Sequence, residues 1–447
     1  MRAKGILCAA GCVGALGVST AHAEAGADGA RAPMSLYARD KAVVQAARHD
    51  ISKYRVHDVV VEVRTPGGEA VPNVHVRARQ IGRHFRLGCN FYQHGAFKTE
   101  EENRLYDYYH ARVFDFATIP FYYNGFIREG EEPNWGRRDT LAAAGAGLGH
   151  TLKGHPLIWF YDPCYPDWAR KPYDEMRPVI LETVRKCVER YKGTIDIWDV
   201  VNEMPVQRGP TGGFKLTFAE LVDLTRDALA VAREANPEAT LIVNDFGIIS
   251  DPDGMSNRYG FFRALIDAGA DFDVVGIQAH MMGRDSLWIV YESLRKYSDL
   301  GKPIHVTEVT VLSKGEWGPW YEGGGQWTEE IQADVVRDFY TVCFAVPSIE
   351  AVTWWDLCDR QTWQPYGGLL RADFTPKPAY HALEDLVASW TTKVILATGA
   401  DGRAGFRGYA GEYELTLSTA AGPAGLFRRR VPPGGGTITI TLHPTEG

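Results

Sequence analysis

Cysteine is scarce and scattered. Of seven in 447 residues, Cys8 and Cys12 lie near the start, and Cys89, Cys164, Cys187, Cys343 and Cys358 show no CxxC spacing. Scarcity excludes a dense disulfide framework, and the spacing argues against a zinc site; one or two bridges at most are open, with at least one thiol left over. His150, His155, His280 and His305 form no HxH or HxxxH pair, and no carboxylates group with them, so no metal or other cofactor is read from the chain. Cationic excess is missing too. Lys and Arg total 48 against 56 Asp and Glu, a formal charge of −8, which excludes a basic footprint for nucleic acid or an anionic membrane. No apolar run reaches the length of a membrane span. No repeat and no low-complexity linker between folded zones occurs.

What is present begins with an export pattern. Arg2 and Lys4 precede the short apolar stretch GILCAAGCVGALGV, and AHA at 21–23 supplies small residues for cleavage. Residues 1–23 are read as a signal peptide cut after Ala23, which places the mature protein in the periplasm or outside the cell. A Gly/Ala-rich stretch follows, and 24–49 is read as a flexible or helical segment. Residues 50–83 alternate apolar and polar side chains around PGG and VPN turns, as paired strands do. The tail at 391–447 is again rich in short strands. The first segment is too short to bury a core alone, so the two are expected to form one accessory β-sandwich; a module built from the tail alone, with the first strands capping the barrel, is the alternative.

Between them, 84–390 alternates strand-like runs with amphipathic helices. The strands are read at 84–91, 114–123, 151–159, 194–203, 239–247, 273–281, 303–311 and 351–359. The helix at 217–236 opens on Thr217 and Glu220, a capping box, and repeats apolar residues at Leu221, Leu224, Ala228 and Val231. A second helix carries Ile331, Val335 and Phe339. Eight such units over roughly 300 residues are the α/β pattern of a (β/α)8 barrel. A doubly wound sheet is the rival, but no Gly-rich phosphate fingerprint follows the first strand.

In a barrel, chemistry sits at the C-terminal ends of strands. Here those ends carry His155, Asn202, Glu203, Asn244, Asp245, Gln278, His280, Glu308 and Asp359. Glutamate is seldom buried without a partner, and Glu203 and Glu308 end the fourth and seventh strands, facing across the mouth. Two carboxylates about 5–5.5 Å apart are what retaining glycoside hydrolysis requires. Glu203 is then the acid/base, Asn202 a partner for a sugar 2-hydroxyl and Glu308 the nucleophile. His280 and His305 are candidates to keep Glu308 ionised. Twelve tryptophans and 21 tyrosines would suit sugar stacking, although most rings in a large domain fill core.

These residues resemble glycoside hydrolase family 10, the retaining endo-β-1,4-xylanases. GHPLIW (154–159) is similar to that family's third-strand motif, WDVVNE (198–203) to its acid/base motif and GIQAHM (276–281) to its Gln-x-His motif. TEV (307–309) resembles the nucleophile strand, and WWDLCDRQTW (354–363) the eighth-strand region. The resemblance implies that Glu203 is acid/base and Glu308 nucleophile. It implies that Asn202, His155 and Gln278 hold the sugar beside the scissile bond, that His280 orients Glu308, and that Trp159, Trp355 and Trp363 form walls or stacking platforms. A polysaccharide or oligosaccharide is the implied partner, and a monomer is expected.

Three departures stand out. Phe160 occupies the place of the family's His, Asp356 that of its Gly, and the second-strand Asn/Lys grip on the next sugar is replaced by IPFYYNGFIREGEEPNW (119–135). Asn124, Arg128 and Glu129 are the polar replacements there, with Arg128 or Lys153 able to assume the grip. Tyr122, Tyr123, Phe126 and Phe160 make that side more aromatic. An inactive sugar-binding barrel and a hydrolase of a different β-glycoside are the remaining readings.

Overall fold

A computed structural model describes residues 34–443. The export signal at 1–23, its cleavage after Ala23 and the stretch at 24–33 lie outside the described residues. The chain opens with helix α1 (Leu36–Tyr54) and strands β1 (Val56–Arg64), β2 (His75–Arg83) and β3 (Arg86–Asn90). Then come α2 (Glu100–Val113), β4 (Phe116–Pro120), α3 (Gly136–Gly147), β5 (Thr151–His155), α4 (Tyr173–Tyr191) and β6 (Ile197–Asn202). Next are α5 (Phe218–Ala235), β7 (Thr240–Asp245), α6 (Asn257–Asp267), β8 (Val274–His280), α7 (Leu287–Ser298) and β9 (Ile304–Thr310). A short hairpin, β10 (Gly315–Trp317) and β11 (Gly325–Trp327), precedes α8 (Glu329–Ala345), β12 (Ile349–Trp354) and α9 (Pro378–Ser389). The chain closes with β13 (Lys393–Ala397), β14 (Arg403–Tyr409), β15 (Gly411–Thr419), β16 (Gly422–Val431) and β17 (Gly436–Thr441).

Strands β3 to β9 and β12 close into a parallel barrel in the order β12-β3-β4-β5-β6-β7-β8-β9. All eight expected barrel strands are present, each near its expected place. Their side chains are buried on both faces, as parallel strands covered by helices must be. The helices form for local reasons. Thr217 caps α5 by accepting from Glu220 N at 3.3 Å, while Glu220 Oε2 accepts from Thr217 N at 2.7 Å. Leu221, Leu224, Ala228, Leu229 and Ala232 then bury one stripe. Val231 is only partly buried at the edge of that stripe.

The terminal strands form two sheets, β14-β1-β17 and β13-β2-β15-β16. Val59, Val61 and Ile440 of the first face Val76, Ala78 and Leu415 of the second in one apolar core separate from the barrel's. A sandwich shared between the two ends of the chain is the result. Burying each valine or leucine stabilises by roughly 1.5–3 kcal/mol, and neither segment supplies enough of them alone. Strand β14 lay outside the sequence reading.

The boundary expected at residue 50 is corrected. Val44, Ala47 and Ile51 are buried at helical spacing, and Ser35 Oγ caps the helix by accepting from Ala38 N at 3.2 Å. Residues 50–54 therefore complete α1, and the first strand begins at Val56. This helix packs on α7 and α8 and ties the two ends of the barrel together. Near its start, Asp40 accepts from Ser286 Oγ (2.6 Å) and Tyr321 Oη (2.9 Å). Just past its end, Arg55 donates to the carbonyls of Phe344, Val346 and Ile349, each at 2.7 Å. Cys89, Cys187, Cys343 and Cys358 are buried free thiols.

Candidate active site

The two glutamates reach the mouth through two local irregularities. Strand β9 bulges against both neighbours. On one side Ile277 faces Val306 and Gln278 faces Glu308; on the other Val352 faces Val306 and Trp354 faces Val309. Strict alternation would place residues 305 and 308 on opposite faces. The extra residue re-aims Glu308 inward, as bulges beside sites do. Strand β6 bulges in the same way between Asp199 and Val201. Its end is then turned by Glu203 itself, whose φ is 56°. For a residue with a Cβ that left-handed turn costs roughly 1–2 kcal/mol, and the surrounding hydrogen bonds hold it.

Those bonds join both carboxylates into one network. Glu203 Oε2 accepts from Trp159 Nε1 (3.0 Å), and its Oε1 accepts from Gln278 Nε2 (2.9 Å) and Asn202 Nδ2 (3.3 Å). Asn202 Oδ1 accepts from Asn244 Nδ2 at 2.8 Å, and the same amide donates to Glu308 Oε1 at 3.0 Å. Two side-chain amides thus link the carboxylates. Thr307 Oγ1 donates to Asn244 Oδ1 at 2.5 Å and fixes which way that amide points.

Glu308 also faces two imidazoles. His280 Nε2 lies 3.3 Å from Oε2, and His155 Nε2 lies 3.7 Å from Oε1. His155 Nδ1 contacts Asp199 Oδ2 at 2.7 Å, and Lys153 Nζ reaches the same oxygen at 2.8 Å, with Lys153 and Asp199 wholly buried. His280 Nδ1 contacts Thr310 Oγ1 at 2.9 Å. A hydroxyl that donates to Nδ1 leaves the ring proton on Nε2, directed at Glu308.

The environments drive the two acids apart. Burial pushes Glu203 up, and the charge of Glu308 adds to it, against the lowering bonds from Gln278 and Trp159. Burial also acts to raise Glu308, but His155, His280 and Lys153 outweigh it and hold that carboxyl below its usual range. The two carboxyls are thus shifted in opposite directions. Such a divergence is how one site supports acid and nucleophile roles at once.

Aromatic rings wall one side. Trp355 meets His155 edge-on at 5.2 Å and Tyr92 at 5.4 Å, while Tyr122 packs on Trp159 at 5.6 Å. Trp159 stacks on Tyr161 at 4.6 Å, and Trp363 meets His280 at 4.7 Å. The residues that the resemblance implies, Asn202, Glu203, His155, Trp159, Gln278, His280, Glu308, Trp355 and Trp363, lie in this one constellation. The sequence reading leaves Asn244 without a role, names Tyr122 only as part of an aromatic side, and misses Thr310 and Tyr92. A polar tip on β7 pointed to the first, but the others carry no periodic signal.

Other expectations are corrected. His305 is at the opposite end of the barrel, 4.0 Å from Glu350, so it cannot influence Glu308 directly. Asp359 pairs with Lys377 at 2.7 Å and accepts from Gly368 N, a loop-fixing role. Tyr123, Phe126 and Phe160 are buried in the barrel core, which leaves Tyr122 alone of those four rings at the mouth. Arg128 pairs with Glu131, Glu129 with Lys171, and Asn124 donates to the carbonyl of Pro163. With Lys153 buried against Asp199, none of these assumes the missing grip. Asp356, where the family's Gly was expected, adopts φ 70°. Its carboxylate accepts from Asn90 Nδ2 and Trp363 N, both at 2.8 Å, and so pins the loop that carries Trp363. Among the described residues no cluster of His, Cys, Asp or Glu is arranged to hold a metal ion.

Comparison with known proteins adds independent findings. The profile of glycosyl hydrolase family 10 matches residues 125–386. Endo-1,4-beta-xylanase B of Thermotoga neapolitana is 30% identical over 258 residues, covering 53% of this chain and 69% of that protein. The anti-sigma-I factor RsgI6 of Acetivibrio thermocellus is 23% identical over 413 residues, 90% of this chain and 49% of that one. Xylanase 10B of Thermotoga petrophila, solved with xylobiose, aligns over 68% of this chain and 94% of its own, with a TM-score of 0.56 and 22% identity. A xylanase of Cellvibrio japonicus gives 0.58 and 21%, over 68% and 98%. At such identities the structural likeness speaks to the barrel fold.

Proposed function

The chain belongs to glycosyl hydrolase family 10, and on that premise we propose that it cleaves β-1,4-xylosidic bonds in xylan-type polysaccharide or oligosaccharides with retention of configuration. The observation that carries this reading is the pair of carboxyls, one raised and one lowered, joined through Asn202 and Asn244. The relatives named endo-1,4-beta-xylanases support the choice of substrate.

Glu203, protonated, gives its proton to the glycosidic oxygen as the bond to the anomeric carbon breaks. Glu308 Oε attacks that carbon from the opposite face, and a glycosyl ester forms. Glu203, now a carboxylate, removes a proton from water, which attacks the same carbon and releases Glu308. Two inversions give retention. Asn202 sits beside the acid, where it can bond the sugar 2-hydroxyl. His155 and Gln278 position the ring, and Trp159, Trp355 and Trp363 enclose it.

The test separates the two acids. Glu203→Ala lowers turnover about 10²–10⁴-fold on xylan but little on aryl xylosides with good leaving groups, because only poor leaving groups need the proton. Azide restores turnover and gives a product of retained configuration by NMR. Equal losses on both substrate types, or an inverted product, would remove the assignment. Plain xylan is expected to turn over more slowly than short, decorated or aryl-linked xylosides, since Asn124, Arg128, Glu129 and Lys153 are engaged with other partners and lost remote binding lowers turnover. One relative similar over 90% of this chain is named an anti-sigma factor and not a hydrolase, so a sugar-binding barrel without turnover is kept as the second reading. Xylan binding with no product would select it. The order of charge, apolar run and small residues in 1–23 supports export to where such a polymer is met.

A further inference from the structure

The β10–β11 hairpin follows the strand that carries Glu308 and contains Trp317, Trp320 and Trp327. Two of these have structural tasks. Trp317 and Trp327 meet edge-on at 5.1 Å and, with Tyr321, box the guanidinium of Arg284 at 5.1, 5.8 and 4.7 Å. Trp327 Nε1 also donates to the carbonyl of Met282 at 3.0 Å. Trp320 is different. It is 62% exposed, the most of any Trp, Tyr or Phe among the described residues.

That exposed ring is nonetheless fixed. Trp320 Nε1 donates to the carbonyl of Gly283 at 2.8 Å. The indole lies close against two glycines: a Cβ at Gly283 would come within 2.9 Å of it, and one at Gly318 within 1.7 Å. Arg284, at φ 59°, turns the loop beneath it. Held this way, an apolar face is kept in water without the freedom that would let it fold away. Gly283 stands three residues beyond His280, so the seat is at most about 11 Å along the chain from the Glu308 partner. It belongs to the β8–β9 side of the mouth, whereas Tyr92, Tyr122 and Trp159 follow β3, β4 and β5.

We propose that Trp320 is a stacking platform for a pyranose ring of the substrate chain beyond the scissile bond, on the β8–β9 side of the cleft. This rests on the glycosidase reading above. A β-linked xylopyranose presents C–H faces without a charged group, which suit the electron-rich face of an indole. No charge is needed, and the nearby Arg284 guanidinium is enclosed by the other rings. The platform adds binding to long chains and not to a single sugar with a small aglycone.

The test compares xylohexaose with an aryl β-xyloside. Trp320→Ala lowers kcat/KM about tenfold more on xylohexaose than on the aryl xyloside. Gly283→Ala displaces the indole without removing it and shifts the same ratio in the same direction, while Trp320→Phe recovers part of the loss. An unchanged ratio in both Trp320→Ala and Gly283→Ala overturns the proposal. So does an equal loss on both substrates accompanied by a lower melting temperature, which marks a purely structural hairpin. If the unaltered protein hydrolyses neither substrate, the glycosidase reading fails by itself. Calorimetric binding of xylohexaose then decides the platform: weaker in Trp320→Ala supports it, equal affinity overturns it.

Discussion

His305 and Glu308 lie three residues apart on β9, yet the two ends of the barrel treat them in opposite ways. At the floor, His305 packs edge-on to Phe116 near an apolar layer of Ile197, Ile242, Val274 and Ala351. Its Nδ1 is buried with no hydrogen-bond partner among the described residues, and burial pushes its pKa down to about 3, aided by Lys153. The floor keeps a polar ring neutral and idle. At the mouth, Glu308 meets an amide and two imidazoles and remains charged despite equal burial. The difference teaches that burial alone does not determine ionisation; the partners do.

The largest test of that contrast is a pair of substitutions on one strand. Glu308→Gln should lower turnover about 10⁴-fold or more on xylan and aryl xylosides alike, as loss of a nucleophile does. His305→Gln should leave kcat within about threefold, since a neutral floor residue takes no part in the chemistry. A comparable loss from both would erase the distinction between the ends.

A stability measurement probes the layer between them. Lys153 and Asp199 form a buried pair at 2.8 Å beneath His155. Lys153→Met leaves the Asp199 charge without its cation, and urea unfolding should show a loss of about 3–5 kcal/mol. A loss below about 1 kcal/mol would mean that His155 alone satisfies Asp199.

The smallest effect concerns Thr310. Removing its hydroxyl in Thr310→Val takes away the donor that keeps the His280 proton on Nε2, so Glu308 loses a stabilising partner. Its lowered pKa then rises, and the acidic limb of the kcat/KM profile, which follows Glu308, moves to higher pH. The alkaline limb follows the raised Glu203 and should stay in place. The loss of rate should be about five- to tenfold, the worth of one hydrogen bond of about 1 kcal/mol. An alkaline limb that moves instead would assign His280 to the other acid.

Much of this molecule could be read before any coordinate. Alternating strands and capped helices indicated the barrel because each pattern needs only neighbours in sequence. Asn202, Glu203, Gln278, His280 and Glu308 were legible because strand ends in a barrel share one face. Helix α1 was misjudged at its end because the first strand follows within two residues, with no Gly or Pro to mark the break.

What the sequence alone determined is the set of groups delivered to the mouth, together with the surplus of apolar strand that the two chain ends must bury. The tertiary structure decided how those groups are aimed and charged. The bulges in β6 and β9 turn Glu203 and Glu308 inward, and they exist only in relation to neighbouring strands. Thr310 reaches His280, Asn244 reaches Glu308, and His305 turns to the floor for the same reason. Local pattern specifies which residues a strand carries, but direction and ionisation depend on register and on partners 30 to 153 residues away.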